Sequence, residues 1–234
     1  MGGWKMHIPD GLLDPLVAAA GWLLAIVILA FATRLLNRGM DERHIPMMAM
    51  LAAGIFVAQM LNFPVGGGTT GHFVGAALAA ILLGPAAGMA VMMVILVIQC
   101  LMFGDGGVTA LGLNFLNMGV IGCLTGYYVQ RAFPDRHRNA AVWAASWLAV
   151  FLGAAACALE LAVSNIISGG TYGIAAEIAI PTMMIYHAII GIGEAIITAG
   201  ILAYLGHVAP GMLRTAKMAP PAGARDEEGV VPGA

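Results

Sequence analysis

The run FVGAALAAILLGPAAGMAVMMVILVIQCLMF, residues 73–103, decides the fold. It carries no charged side chain over a length greater than one crossing of a hydrocarbon core, for which about 20 apolar residues in a helix suffice. Its one punctuation is Gly84-Pro85, a turn pair that also stops a continuous helix. The run therefore reads either as a short helix and a full-length one meeting at a tight bend, or as a single bent segment.

Outward from this run the same pattern recurs. Apolar segments fall at 15–36, 46–63, 73–83, 85–103, 108–131, 140–165 and 181–205, giving seven spans, or six if the third and fourth merge. Basic residues arbitrate. Arg34, Arg38, Arg43, Arg131, Arg136, Arg138, Arg214, Lys217 and Arg225 fall at one set of ends and Lys5 alone at the other. Seven spans place all nine on the cytoplasmic side, as the positive-inside rule requires, with the amino terminus outside and the carboxyl terminus inside. Six spans split them. The expectation is an all-α membrane protein, a seven-transmembrane-helix bundle in the cell (cytoplasmic) membrane.

Composition agrees: 61% of the chain is hydrophobic and 9% charged, against about 25% charged in ordinary globular proteins. The formal net charge of -2 is uninformative, because the location of the basic residues matters more. Cys100, Cys123 and Cys157 are odd in number, lie in apolar runs and lack CxxC spacing, so a packing role is expected. Residues 1–5 are too short for a signal peptide, and the run from Leu16 lacks a small-residue cleavage site, so the first helix should be retained. Three regions follow: an extracytoplasmic segment over 1–14, a transmembrane domain over 15–207, and a polar cytoplasmic tail over 208–234 expected to be disordered.

Two histidines face the outer side in this topology close to polar, flexible sequence. Met6-His7-Ile8-Pro9-Asp10-Gly11 precedes the first span. A histidine second in a chain offers a free amine, its own deprotonated backbone nitrogen and a ring nitrogen, three donors in one plane, a set that favours Ni(II) or Cu(II) over Zn(II). A plain polar leader at the membrane surface is the simpler alternative. His72 ends the glycine-rich loop from Asn62 to Gly71, which could close over a site or form a simple turn capping span three. His187 also falls on the outer side, whereas His44, His137 and His207 fall at cytoplasmic ends, where solvated or interfacial positions are expected.

These pieces recur in order along the chain: Met6-His7-Ile8-Pro9-Asp10-Gly11; Asn62-Phe63-Pro64-Val65 with Gly68-Thr69-Thr70-Gly71-His72; Leu82-Leu83-Gly84-Pro85; Phe103-Gly104-Asp105-Gly106-Gly107; and Asn114 with Asn117-Met118-Gly119. The set resembles the CbiM/NikM substrate-binding proteins of energy-coupling factor transporters, which import cobalt or nickel, from about Met6 to Leu205. The resemblance implies that the amine of Met6, the backbone and ring nitrogens of His7, and His72 hold the metal. It implies a transmembrane coupling subunit and two cytoplasmic ATPase subunits as partners, with a small accessory membrane subunit in some assemblies. Nickel is slightly favoured over cobalt, and the ion is cargo rather than a resident cofactor. The family chain begins at the methionine before the histidine, whereas Met1-Gly2-Gly3-Trp4-Lys5 precedes it here, so a start at Met6 is expected.

Other signals are weaker. Glu160 and Glu194 lie within spans, where a carboxylate costs about 2.5–3.5 kcal/mol on insertion scales, so both should face inward and find partners. His187 and Glu194 share a helix face about two turns apart, as a support or pathway for the site or as a packing network. Asn114 and Asn117 could orient the outer loops or bond across helices. Ala49 to Ala53, Gly71 to Gly75 and Gly122 to Gly126 have the spacing of close helix contacts; internal packing is the ordinary explanation, while the resemblance assigns an Ala-xxx-Ala surface to docking on the coupling subunit. Neither a P-loop nor His-Glu-x-x-His is present, so the chain should not hydrolyse ATP by a P-loop or act as that type of zinc protease. No nucleic-acid partner is expected. The rivals are an intramembrane enzyme using His187 and Glu194, and a vitamin-binding subunit of the same transporter class, which the 7% aromatic content disfavours.

Overall fold

The computed structural model describes residues 7–39, 44–66 and 69–209. Among the described residues the chain forms seven helical segments and one β-hairpin. Helix α1 is Pro15–Gly39 and α2 is His44–Gln59. The hairpin β1–β2 pairs Asn62–Gly66 with Thr69–His72, α3 is Ala76–Leu83, and α4 is Pro85–Ile98, running on into a π-helical turn at Gln99–Phe103. We write α5 for one continuous run made of Leu111–Asn114, the π-helical Phe115–Ile121 and Gly122–Ala132. After a 3-10 turn at Asp135–His137 come α6, Arg138–Ile167, and α7, Ala176–Val208.

Local chemistry explains the boundaries. Asp14 caps α1 through its carboxylate, which accepts the Leu16 N–H at 2.8 Å, and Pro15 takes the first helical position, where no N–H is needed. The bend between α3 and α4 falls at Gly84-Pro85, with Gly84 at φ 82 and Pro85 opening the next helix. The run 73–103 is thus two helices. The last helix starts five residues before the expected Pro181, which sits inside α7; Glu177, whose carbonyl the proline leaves without its helical donor, is exposed.

The loop preceding His72 differs from expectation. It is an antiparallel hairpin with Asn62 opposite His72 and Phe63 opposite Gly71, and its register shifts between Pro64 and Gly66. Glycine, proline and threonine give no apolar alternation, so the period-two signal of a strand is missing. The hairpin shortens both neighbouring segments: α2 stops at Gln59 and α3 begins only at Ala76.

Among the described residues, four segments are long and apolar enough to cross a membrane: Pro15–Arg38, Pro85–Phe103, Arg138–Ile167 and Ala176–Val208. The others are shorter or more polar, and the reason lies in burial. Every residue of α3 from Ala76 to Leu82 is buried, as is α5 from Leu111 to Val120. Elements surrounded by protein can be short, or carry Asn114 and Asn117, because lipid never meets them. Gly122 and Gly126 make their mutual approach possible: a Cβ on Gly122 would lie 2.7 Å from that of Ala76, and one on Gly126 would lie 2.6 Å from the Cα of Ala77. This small-residue pair packs internally. Gly71 and Gly75 do not, since one lies in the hairpin and the other precedes α3. Ala49 and Ala53 are exposed on α2, so internal packing does not explain them. The three cysteines are buried and free, as their apolar surroundings predict. Met6, residues 1–5 and the tail beyond Ala209 lie outside the described residues, and so do the expectations placed on them.

Candidate metal site

The segment from His7 to Asp14 is threaded into one end of the bundle by hydrogen bonds from separate elements. Asn114, buried in α5, accepts the Ile8 N–H at 2.8 Å through Oδ1 and donates to the Ile8 carbonyl at 3.1 Å through Nδ2. The Gly107 N–H reaches the same carbonyl at 2.9 Å. Ile8 is thereby held as though in a two-sided ladder, with its side chain 1% exposed. Further along, the Asp10 carboxylate accepts from the Thr109 N–H at 2.7 Å, the Thr109 hydroxyl at 2.6 Å and the Val108 N–H at 3.1 Å. These contacts, with the Thr109 hydroxyl foremost, hold the Asp10 carboxyl below its ordinary pKa of 3.8. The Leu12 carbonyl accepts from Gly173, and the Asp14 N–H donates to the Ser164 hydroxyl at 2.6 Å.

This threading depends on Gly106 and Gly107 of the 104–107 loop. A Cβ on Gly106 would lie 3.0 Å from Asn114 Nδ2 and 3.4 Å from His7 Nδ1, and one on Gly107 would run into the backbone of Pro9 and Asp10. Only a bare backbone at Gly107 lets the loop pass so close to Pro9 and Asp10.

His72 arrives from the opposite direction, at the end of β2. Its ring centroid lies 5.0 Å from that of His7, with the planes inclined at 50°, and both residues are buried, at 4% and 8% exposure. His72 Nδ1 lies 2.8 Å from the Phe73 carbonyl. A carbonyl can only accept, so Nδ1 carries the hydrogen and the lone pair falls on Nε2, the arrangement of a histidine prepared to ligate metal.

Beyond His72 the chain is held as well. Glu194 of α7 accepts from the Val74 N–H at 2.7 Å and the Gly75 N–H at 2.8 Å, one on each carboxylate oxygen. Gln59, the last residue of α2, donates to the Val74 carbonyl at 2.6 Å and accepts from Gln99 at 2.5 Å. Sequence reasoning missed Gln59 and Gln99, although a lone amide in an apolar span is itself a signal that a partner exists. His187, buried on α7, sets Nδ1 2.9 Å from the Met183 carbonyl. Asn117 donates to Glu160 at 2.7 Å, tying α5 to α6, so that inward-facing carboxylate has the partner its burial calls for. Among the described residues no group of three or more His, Cys, Asp or Glu could hold a metal ion. Among the described residues the side chains here supply two imidazoles, His7 and His72.

Apolar helices of membrane-crossing length, enclosing two facing histidines under interlocked end loops, are the architecture of a membrane protein. Comparison with known proteins narrows the class. Residues 7–212 match the family model CbiM, described as the cobalt uptake substrate-specific transmembrane region, and the chain belongs to this family. It is 42% identical over 208 residues to an Archaeoglobus fulgidus protein named for fused nickel transport, NikMN, covering 89% of this chain and 68% of that one. It is 43% identical over 210 residues to a Haloquadratum walsbyi protein named for metal transport, covering 90% and 94%. Among solved structures, a truncated transition metal transporter superposes with a TM-score of 0.79 at 35% identity, covering 85% of this chain and 97% of the other.

Proposed function

We propose that this chain captures Ni(II) or Co(II) at the outer face of the cell membrane as the substrate-binding subunit of an energy-coupling factor transporter. The observation that carries the proposal is the burial of His7 against His72, with ring centroids 5.0 Å apart, by an amino-terminal segment tied to two end loops, at 107–109 and at Gly173. Four nitrogens complete the site: the amine of Met6, the backbone and ring nitrogens of His7, and Nε2 of His72. Such a set is planar and favours nickel slightly, although nickel and cobalt are neighbours in the affinity order. Membership in a family described for cobalt uptake, and a relative named for nickel transport, support the pair of ions.

The bundle crosses the membrane seven times, with His7 outside and Val208 inside. In support, the segments tied together around His7, namely residues 8–14, 104–109 and 172–173, all lie at ends this topology places outside. Energy comes from a transmembrane coupling subunit and two ATPase subunits, with the exposed Ala49 and Ala53 face of α2 offered to the former. An acid–base pair of His187 and Glu194 finds no support, because both Glu194 oxygens are engaged by backbone N–H groups.

The test is metal binding by the purified chain. His72→Ala should abolish high-affinity nickel and cobalt binding while the protein remains folded, and unchanged affinity would remove His72 from the site. The chelate also demands a free amine on Met6. Intact-mass measurement of transport-active protein should give a chain starting there; Lys5 still joined to Met6 would require a different fourth donor.

A further inference from the structure

The two residues that follow the His72–Phe73 pair are fixed more completely than a turn of this length requires. Val74 has both its N–H and its carbonyl bound by side chains, and the Gly75 N–H is bound as well. The side chains come from two distant elements, Glu194 from α7 and Gln59 from α2, with 1% and 3% exposure. Gln59 is itself oriented: the Val74 carbonyl can only accept, so Gln59 presents its amide there and its oxygen to Gln99, which opens the π turn ending α4. Gly75 adopts φ 78, and a Cβ there would lie 2.6 Å from Ile55 Cγ2 and 2.8 Å from Phe73 Cε1, so the turn has little room to move. The His72 ring joins the same unit through the Phe73 carbonyl.

Building such a clamp from a carboxylate and two amides inside membrane helices is costly, and holding the backbone of one turn would not require all three. From this geometry we infer that Glu194, Gln59 and Gln99 are positioning residues that set metal selectivity by denying the His72 ring the movement a tetrahedral ion would need. The inference rests on the function proposed above. Ni(II) gains from four nitrogens in one plane, whereas Zn(II) prefers to draw its ligands into a tetrahedron. A rigid His72 therefore leaves nickel affinity intact and penalises zinc; a loosened one lets zinc relax the site.

The experiment is competition titration of Ni(II) against Zn(II) on the purified full chain, with the thermal midpoint recorded for each variant. Glu194→Gln replaces one acceptor by a donor facing an N–H, and Gln59→Met removes the bond to Val74 at similar volume. Each should weaken nickel binding about 10- to 100-fold, the usual range for partners of metal ligands. Zinc binding should change less, so that the nickel-to-zinc preference falls. Combined with His72→Ala, Glu194→Gln should cause no further loss of residual nickel binding. A parallel fall of both affinities, an unchanged preference, or a full additional loss in the His72→Ala background would overturn the inference and leave the clamp as scaffold. Should Glu194→Gln fail to fold, Gln99→Met, one link further from the ring, carries the same test with the same two outcomes. If His72→Ala binds nickel as tightly as the parent, the proposed site falls and this inference with it; a normal dependence on His72 with unchanged preference in the clamp variants removes the inference alone.

Discussion

At the scale of single residues, the site depends on groups that never touch the metal. Asn114 serves both backbone groups of Ile8, the residue next to His7, and removing it leaves a buried N–H without its acceptor, at a cost of about 1–3 kcal/mol. We expect Asn114→Ala to lower metal affinity about 10- to 100-fold, as read by calorimetric titration; an unchanged affinity would show that His7 is held by other means. Asp10 makes a separate prediction, because its carboxyl is held below 3.8 in the folded chain, first by the Thr109 hydroxyl and then by the Thr109 and Val108 amides. A group with a depressed folded pKa contributes stability that is present above its unfolded value and lost as the pH falls through the folded one. Thermal stability of the parent should therefore drop more steeply below about pH 4 than that of Asp10→Asn, whose side chain does not titrate. Equal slopes would show that the carboxylate does not anchor the segment. The histidines, the asparagine and both glutamates were legible as residues in the sequence, because polar groups stand out in an apolar chain. What they bond was not legible: Asn114 lies 106 positions from Ile8 and Glu194 lies 120 from Val74, and no local pattern encodes such pairings.

At the scale of elements, close approach of α3 and α5 is the device that lets two short or polar helices occupy the centre. Gly126 faces the Cα of Ala77, a backbone atom that cannot swing aside. Gly126→Ala should cost about 1–3 kcal/mol through overpacking. Gly200 on α7 meets nothing within 4 Å, so Gly200→Ala should be neutral or stabilise by up to about 1 kcal/mol through helix propensity. Thermal melts of the two variants test this, and similar shifts for both would show that the α3–α5 contact is not tight. Gly84-Pro85 announced the bend between α3 and α4 because its chemistry is local. The hairpin before His72 gave no such announcement: its pairing is made by backbone groups, and its side chains carry no alternating pattern. The start of α7 ahead of Pro181 was hidden for a related reason, since the proline sits one turn after Glu177, an exposed residue whose loss of a helical donor is tolerated.

At the scale of the whole molecule, the arrangement of ends bears on which side of the membrane each loop faces. Arg131, Arg136 and Arg138 flank the turn between α5 and α6, and basic loops stay on the cytoplasmic side. The turn between α6 and α7 sits at the opposite end, where Gly173 donates to the Leu12 carbonyl beside the threaded amino-terminal segment. His137 and Thr171 are both exposed, one in each turn, and the native cysteines are buried. A single new cysteine at either position therefore reports its side cleanly. With the chain in intact cells, a membrane-impermeant maleimide should label Thr171→Cys directly, and His137→Cys only after lysis. The reverse pattern would place the histidine pair on the cytoplasmic side and make capture from outside untenable. Labelling of both in intact cells would mean that the two turns share a face and that the 30-residue α6, long enough at about 1.5 Å per residue to cross the roughly 30 Å of hydrocarbon, does not cross it.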